Sequence, residues 1–130
     1  MFFDEFPIFL ETSSTASGRS RLNIRHHAMF ESNKSIFPNA KVIDLASHDG
    51  RWTMSALEAG ASHVIGVEGR PELVKRAEEN IAHYGVDPTR YRFINDDIFD
   101  VLRSPADNEV DIDIVMCLGF IYHTLRYQDL

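Results

Sequence analysis

KVIDLASHDGRWTMSALEAGASHVIGVEGR, residues 41–70, is the stretch whose reading decides the fold. Val42-Ile43-Asp44-Leu45 is a short apolar run with a charge before it and Ala46-Ser47-His48-Asp49-Gly50 after it, the pattern of a buried strand ending in a tight turn. Apolar residues then recur at Trp52, Met54, Ala56, Leu57 and Ala59, which predicts a helix, and Gly60 stands where a helix end needs a left-handed residue. Val64-Ile65-Gly66-Val67 reads as a second buried strand. It stops at Glu68, an acid of the kind that meets a ribose in nucleotide-binding βαβ units.

A turn between a strand and a helix N-terminus gathers backbone N–H groups and the positive end of the helix dipole, so it attracts a carboxylate or phosphate. This turn lacks the Gly-x-Gly-x-x-Gly pattern that lets a backbone approach a dinucleotide pyrophosphate. That disfavours NAD and leaves S-adenosylmethionine, whose carboxylate is smaller and whose ribose also wants an acid after the second strand. VIDLASHDG, residues 42–50, resembles motif I of class I S-adenosylmethionine-dependent methyltransferases, whose usual form is Val-Leu-Asp-Leu-Gly-Cys-Gly-x-Gly. VIGVEGRPELVKRAEEN, residues 64–80, resembles the segment that follows it. The resemblance implies cofactor contacts from Asp44, Ala46, Ser47, His48 and Gly50, and from Glu68 and Gly69 after the second strand. Ala46, Ser47 and His48 replace the family's first glycines, so a less close backbone approach is expected there. His48 either donates to the methionine carboxylate or points to solvent.

Further along, residues 70–84 predict the clearest helix, with Pro71 in its first turn, Glu72 near the positive dipole end and Leu73, Val74, Ala77, Ile81 and Tyr84 on one face. Tyr91-Arg92-Phe93-Ile94 alternates as a third strand and ends in Asn95-Asp96-Asp97-Ile98. The resemblance implies that Asp97 accepts from the adenine amino group while Ile98 packs on the ring. Asp96 or Asp97 also suits the N-cap of a short helix through Leu102. Residues 112–118 predict a fourth strand, apolar on both faces as a central parallel strand should be. The expected fold is therefore α/β, a partial Rossmann-like doubly wound parallel sheet of order 3-2-1-4, preceded by a helix over residues 19–37. Ligands of such sheets bind where strand order reverses, so residues 44–50 and 118–123 should share one cleft.

DIVMCLGFIYHTLRY, residues 113–127, resembles methyltransferases carrying Leu-Gly-x-Leu-Tyr-His after the fourth strand, such as the tRNA wobble-uridine carboxymethyl transferase and its relatives. Leu118 would then border the cofactor, with His123 as general base and Tyr122 orienting the acceptor. Methyl transfer asks for alignment and, for a protonated nucleophile, a base near neutrality, which the ordinary histidine pKa of about 6.5 supplies. A structural role for His123 is the alternative. Arg25, His26 or His27, in the most basic part of the chain, either closes over the cofactor or receives an anionic substrate, or belongs to a solvated helix face. Adjacent histidines point to different sides of a helix, so no metal site is expected there.

The 130 residues divide into an aromatic segment and polar linker over 1–18 and an incomplete cofactor-binding domain over 19–130. Four phenylalanines, Phe2, Phe3, Phe6 and Phe9, suit packing rather than a disordered tail. The longest apolar run is far short of the roughly 20 residues of a membrane span, and the lone Cys117 fits a reducing cytoplasm. A net charge of -7 argues against whole-surface binding to nucleic acid and for a small-molecule substrate. The chain ends within an expected helix, leaving the fourth strand as an apolar edge, so a missing C-terminal segment or a homo-oligomer is expected to cover it.

Overall fold

The computed structural model describes residues 1–12, 18–103 and 111–118. Two short helices, α1 (Phe2–Glu5) and α2 (Ile8–Glu11), lead to α3 (Arg19–His26), and the sheet alternates with helices from there: β1 (Lys41–Leu45), α4 (Arg51–Glu58), β2 (His63–Glu68), α5 (Pro71–His83), β3 (Tyr91–Asn95), α6 (Ile98–Arg103) and β4 (Ile114–Met116). All three strand pairings are parallel, and the order is β3-β2-β1-β4. Parallel neighbours need crossover connections, and α4, α5 and α6 supply them. Central β1 and β2 are buried along almost their whole length, which is why their sequences read as unbroken apolar runs.

The side chains of β1 and β2 alternate between two cores. Val42 and Val64 face a large cluster with Leu22, Phe30, Trp52, Met54 and Ile81, while Ile43, Leu45, Ile65 and Val67 face a smaller one with Ile98 and Phe99 of α6. Gly66 in β2 has a structural reason: a Cβ there would run into the Phe93 ring and come within 3.0 Å of Ser47 Oγ. The N-terminal aromatics belong to the larger core. Phe3 and Phe9 are fully buried, Phe3 meets Trp52 edge-on at 5.8 Å, and the Phe3 N–H donates to Asn23 Oδ1 at 2.9 Å.

Two expectations change. Residues 19–37 do not form one helix: α3 ends at His26, passes into a π-helical turn (His27–Glu31), and is followed by a 3₁₀ turn (Lys34–Ile36). Asn33 Nδ2 caps this break by donating to the carbonyls of Ala28 and Met29. The fourth strand is shorter than the apolar run, and Val115 at its centre is 60% exposed, so among the described residues it is covered on one face only. No helix among the described residues is long and apolar enough to cross a membrane.

Candidate functional site

Strand order reverses between β1 and β4, which pair from Val42↔Ile114 to Asp44↔Met116. The crevice therefore opens above the carboxyl end of β1, where residues 46–50 turn the chain into α4. Within this turn Ala46 and His48 adopt φ values of +59° and +54°, and Gly50 adopts +84°. A turn without its first glycines thus keeps a glycine-like path, at a cost of roughly 1–2 kcal/mol for each left-handed non-glycine residue. The tightest spot is Gly50, where a Cβ would stand 3.1 Å from Ala77 Cβ on α5.

The carboxylates of Asp44, Asp49, Glu68 and Asp97 line this end of the sheet. Asp44 is 1% exposed, and its Oδ2 accepts from Thr53 Oγ1 at 2.7 Å. Burial pushes its carboxyl up to about 7, the Thr53 bond opposes the rise, and the Asp49 and Glu68 charges add to it. Asp49 is fully buried yet ionised. Burial alone would raise its pKa, but the His48 ring 3.6 Å away and the hydrogen bonds and charge of Arg51 outweigh it and hold the carboxyl at about 2. Arg51 meets it as a fork, Nε to Oδ1 at 2.9 Å and Nη2 to Oδ2 at 2.8 Å. Thr12 Oγ1 donates to the same carboxylate at 2.9 Å, and Asn80 Nδ2 donates to the Asp49 carbonyl at 3.0 Å.

Glu68, at the end of β2, is 6% exposed and faces the turn: Oε2 accepts from the His48 N–H at 3.0 Å, and Oε1 accepts from the Arg70 N–H at 3.1 Å and Arg70 Nε at 3.3 Å. A carboxylate offers about four acceptor sites, so among the described residues at least one stays open, and the exposed Arg70 side chain can yield another. Asp97 lies beyond β3, on the strand next to β2, where the Asp96 N–H donates to the Glu68 carbonyl at 3.2 Å. Asp97 Oδ1 accepts from the Phe99 N–H at 2.8 Å and so caps α6, while Ile98 is buried against the smaller core. Gly69 is exposed between β2 and α5, and Leu118 is half-buried against the larger core.

The structure therefore brings Asp44, Ala46, Ser47, His48, Gly50, Glu68 and Asp97 to one edge of the sheet. Arg25 and His26 sit elsewhere in character. The Arg25 guanidinium lies 5.4 Å over the Trp52 ring, and His26 is buried in a stack between Phe2 at 4.2 Å and Phe30 at 5.2 Å, where burial lowers its pKa. A cavity of about 480 Å³ adjoins His26, walled by Phe2, Phe6, Phe30 and the far end of α4 at Ser55 and Glu58. Tyr122 and His123 lie outside the described residues. The sequence reading missed Asp49, Arg51, Asn80 and Thr12 as a unit; the Asp-Gly-Arg-Trp turn was its only visible trace.

Whether this edge suits a nucleoside carrying an amino-acid tail is tested by its unpaired groups. Among the described residues Ser47 Oγ and His48 Nδ1 are buried without a hydrogen-bond partner, His48 Nδ1 standing 3.6 Å from Asp49 Oδ1. Buried polar atoms are rarely left so, and here two adjoin a turn at a helix start, with an acid opposite. The donor set fits a ligand bearing a carboxylate and a vicinal diol.

Comparisons with known proteins bear on the family and the fold. The family described as "Methyltransferase domain" matches residues 42–130. Ribosomal RNA large subunit methyltransferase I of Escherichia coli is 30% identical over 78 residues, which are 60% of this chain and 20% of that protein, so the chain spans about a fifth of this curated relative. Protein arginine methyltransferase 10 of Arabidopsis thaliana shares the fold with a TM-score of 0.61 at 22% identity, covering 76% of this chain and 26% of the other. The S-adenosylmethionine-dependent methyltransferase of Agrobacterium tumefaciens gives 0.60 at 20% identity, over 72% and 29%.

Proposed function

The chain belongs to the methyltransferase-domain family, and on that premise we propose that it binds S-adenosylmethionine at the β1–α4 turn and serves transfer of the methyl group to an acceptor at the same sheet edge. The observation that carries this is the bond from the His48 N–H to Glu68 Oε2 at 3.0 Å, which joins the anion-attracting turn to the ribose-type acid. In this reading the turn from Ala46 to Gly50 holds the amino-acid end, with Ser47 Oγ and His48 Nδ1 gaining partners. Glu68 takes the ribose hydroxyls, Gly69 leaves room beside them, and Asp97 and Ile98 flank the adenine, Asp97 with the oxygen not used for capping α6. Asp44 braces the turn from below through Thr53, and Leu118 borders the cofactor from β4. When bound, the cofactor supplies an electrophilic methyl on a sulfonium, and the chain's part is alignment. His123 is proposed as the base that takes the acceptor's proton, with Tyr122 orienting the acceptor.

A small-molecule acceptor is the reading that the acidic surface favours. An RNA acceptor is favoured instead by the name of the ribosomal RNA relative. Titration calorimetry with S-adenosylhomocysteine and NAD tests the cofactor: the first binds and the second does not. Glu68→Gln, which removes the charge but keeps an acceptor, weakens S-adenosylhomocysteine by about 1–3 kcal/mol. Equal affinity in wild type and variant would remove Glu68 from the site.

A further inference from the structure

We infer that the N-terminal segment is part of the cofactor site, with Thr12 and Asn80 as positioning residues that hold the β1–α4 turn through Asp49, so that docking of residues 1–12 and occupation of the turn are coupled. The inference rests on the cofactor reading above and adds to it a partner within the chain. Thr12, at the C-terminal cap of α2, stands 37 residues from Asp49 in sequence, yet its hydroxyl donates to Asp49 Oδ2 at 2.9 Å. Its single proton is shared with the Ile8 carbonyl at 3.1 Å, and the charged acceptor at the shorter distance is the stronger. Asn80 Nδ2 closes the triangle, donating to Thr12 Oγ1 at 3.2 Å and to the Asp49 carbonyl at 3.0 Å.

The turn needs such a brace. Its left-handed Ala46 and His48 are strained on either side of Ser47, and the Asp49 carboxylate that follows them also receives the Arg51 N–H at the start of α4, at 3.3 Å. Fixing Asp49 from both its carboxylate and its carbonyl therefore fixes the direction of the N–H groups that precede it. The segment that delivers Thr12 is itself anchored by apolar contacts, with Phe9 fully buried, its ring stacked on Tyr84 at 6.1 Å, and by the Ile8 N–H donating to the Tyr84 hydroxyl at 3.1 Å. A ligand that selects the braced turn must by reciprocity stabilise the docked segment.

The test uses the full chain, S-adenosylhomocysteine as the probe, and two variants. In the wild type, saturating S-adenosylhomocysteine slows amide hydrogen exchange in residues 1–12. Thr12→Val keeps the shape and removes the hydroxyl: affinity by calorimetry falls about 5-fold or more, and the slowing disappears. Thr12→Ser restores both. A wild type that binds S-adenosylhomocysteine with unchanged exchange in residues 1–12 overturns the coupling. So does a Thr12→Val variant that merely melts earlier while keeping affinity and slowing. A wild type that does not bind S-adenosylhomocysteine overturns the cofactor reading itself.

Discussion

Asp44 and Asp49 lie five positions apart, both buried, and the surroundings drive their titrations in opposite directions. Among the described residues no cation stands beside Asp44, and its folded pKa of about 7 exceeds the ordinary 3.8. A proton is held more tightly in the folded state, so the stability this group contributes is complete below about pH 4 and is lost as pH rises through 7. Asp49 behaves in reverse, its contribution being present above 3.8 and lost as pH falls through about 2. Asp44→Asn keeps an acceptor for Thr53 and removes the titration. Thermal unfolding from pH 4 to 7.5 should therefore show a decline in the wild type that is flattened in Asp44→Asn, the variant being the more stable at pH 7.5 by on the order of 1 kcal/mol or more. Parallel curves would assign the titration elsewhere. Asp44 and Glu68 were legible in the sequence because each lies at or one residue before the end of an apolar strand, and the fold sends strand ends to one edge. Asp49 with its partners was not, since Thr12 opens a polar tract that reads as a linker, and only folding brings it to the turn.

At the scale of elements, the βαβ core was legible because β1 and β2 are buried on both faces and so must be written almost wholly in apolar residues. The breaks were harder to see. A π-turn after His26 leaves the helical spacing of Met29 and Phe30 nearly intact, and the apolar spacing cannot tell it from a continuing α-helix. The fourth strand was overread because apolar residues at 112, 117 and 118 serve packing without joining the ladder. The N-terminal helices are four residues each, too short to hold themselves by backbone bonding, and depend on their rings. Phe3 is fully buried between Phe2, His26 and Trp52. Phe3→Ala should thus cost about 3–5 kcal/mol, read as a lower urea midpoint with little change in slope. A loss below 1 kcal/mol would mean that the segment is an ornament on the domain.

For the molecule as a whole, the charge of -7 sets what the surface can attract. Arg19, Arg21, Lys34 and His27 are exposed, but Arg19 already faces Asp4 at 3.5 Å, and acids outnumber bases overall. Filter binding to unstructured RNA at physiological salt should give a Kd on the order of 10⁻⁴ M or weaker. Micromolar binding would turn the acceptor reading toward RNA.

The bare backbone at Gly66 lets the Phe93 ring lie across β2 and the Ser47 hydroxyl rest above it. Bulk on the second strand and bulk on the third thus draw on one shared volume. A relative with a larger side chain at the first position must carry a smaller one at the second, or its ligand loop must ride higher over the sheet. Size exchange between these two sites is then a means of raising or lowering the floor beneath the turn while leaving the turn's own residues unchanged.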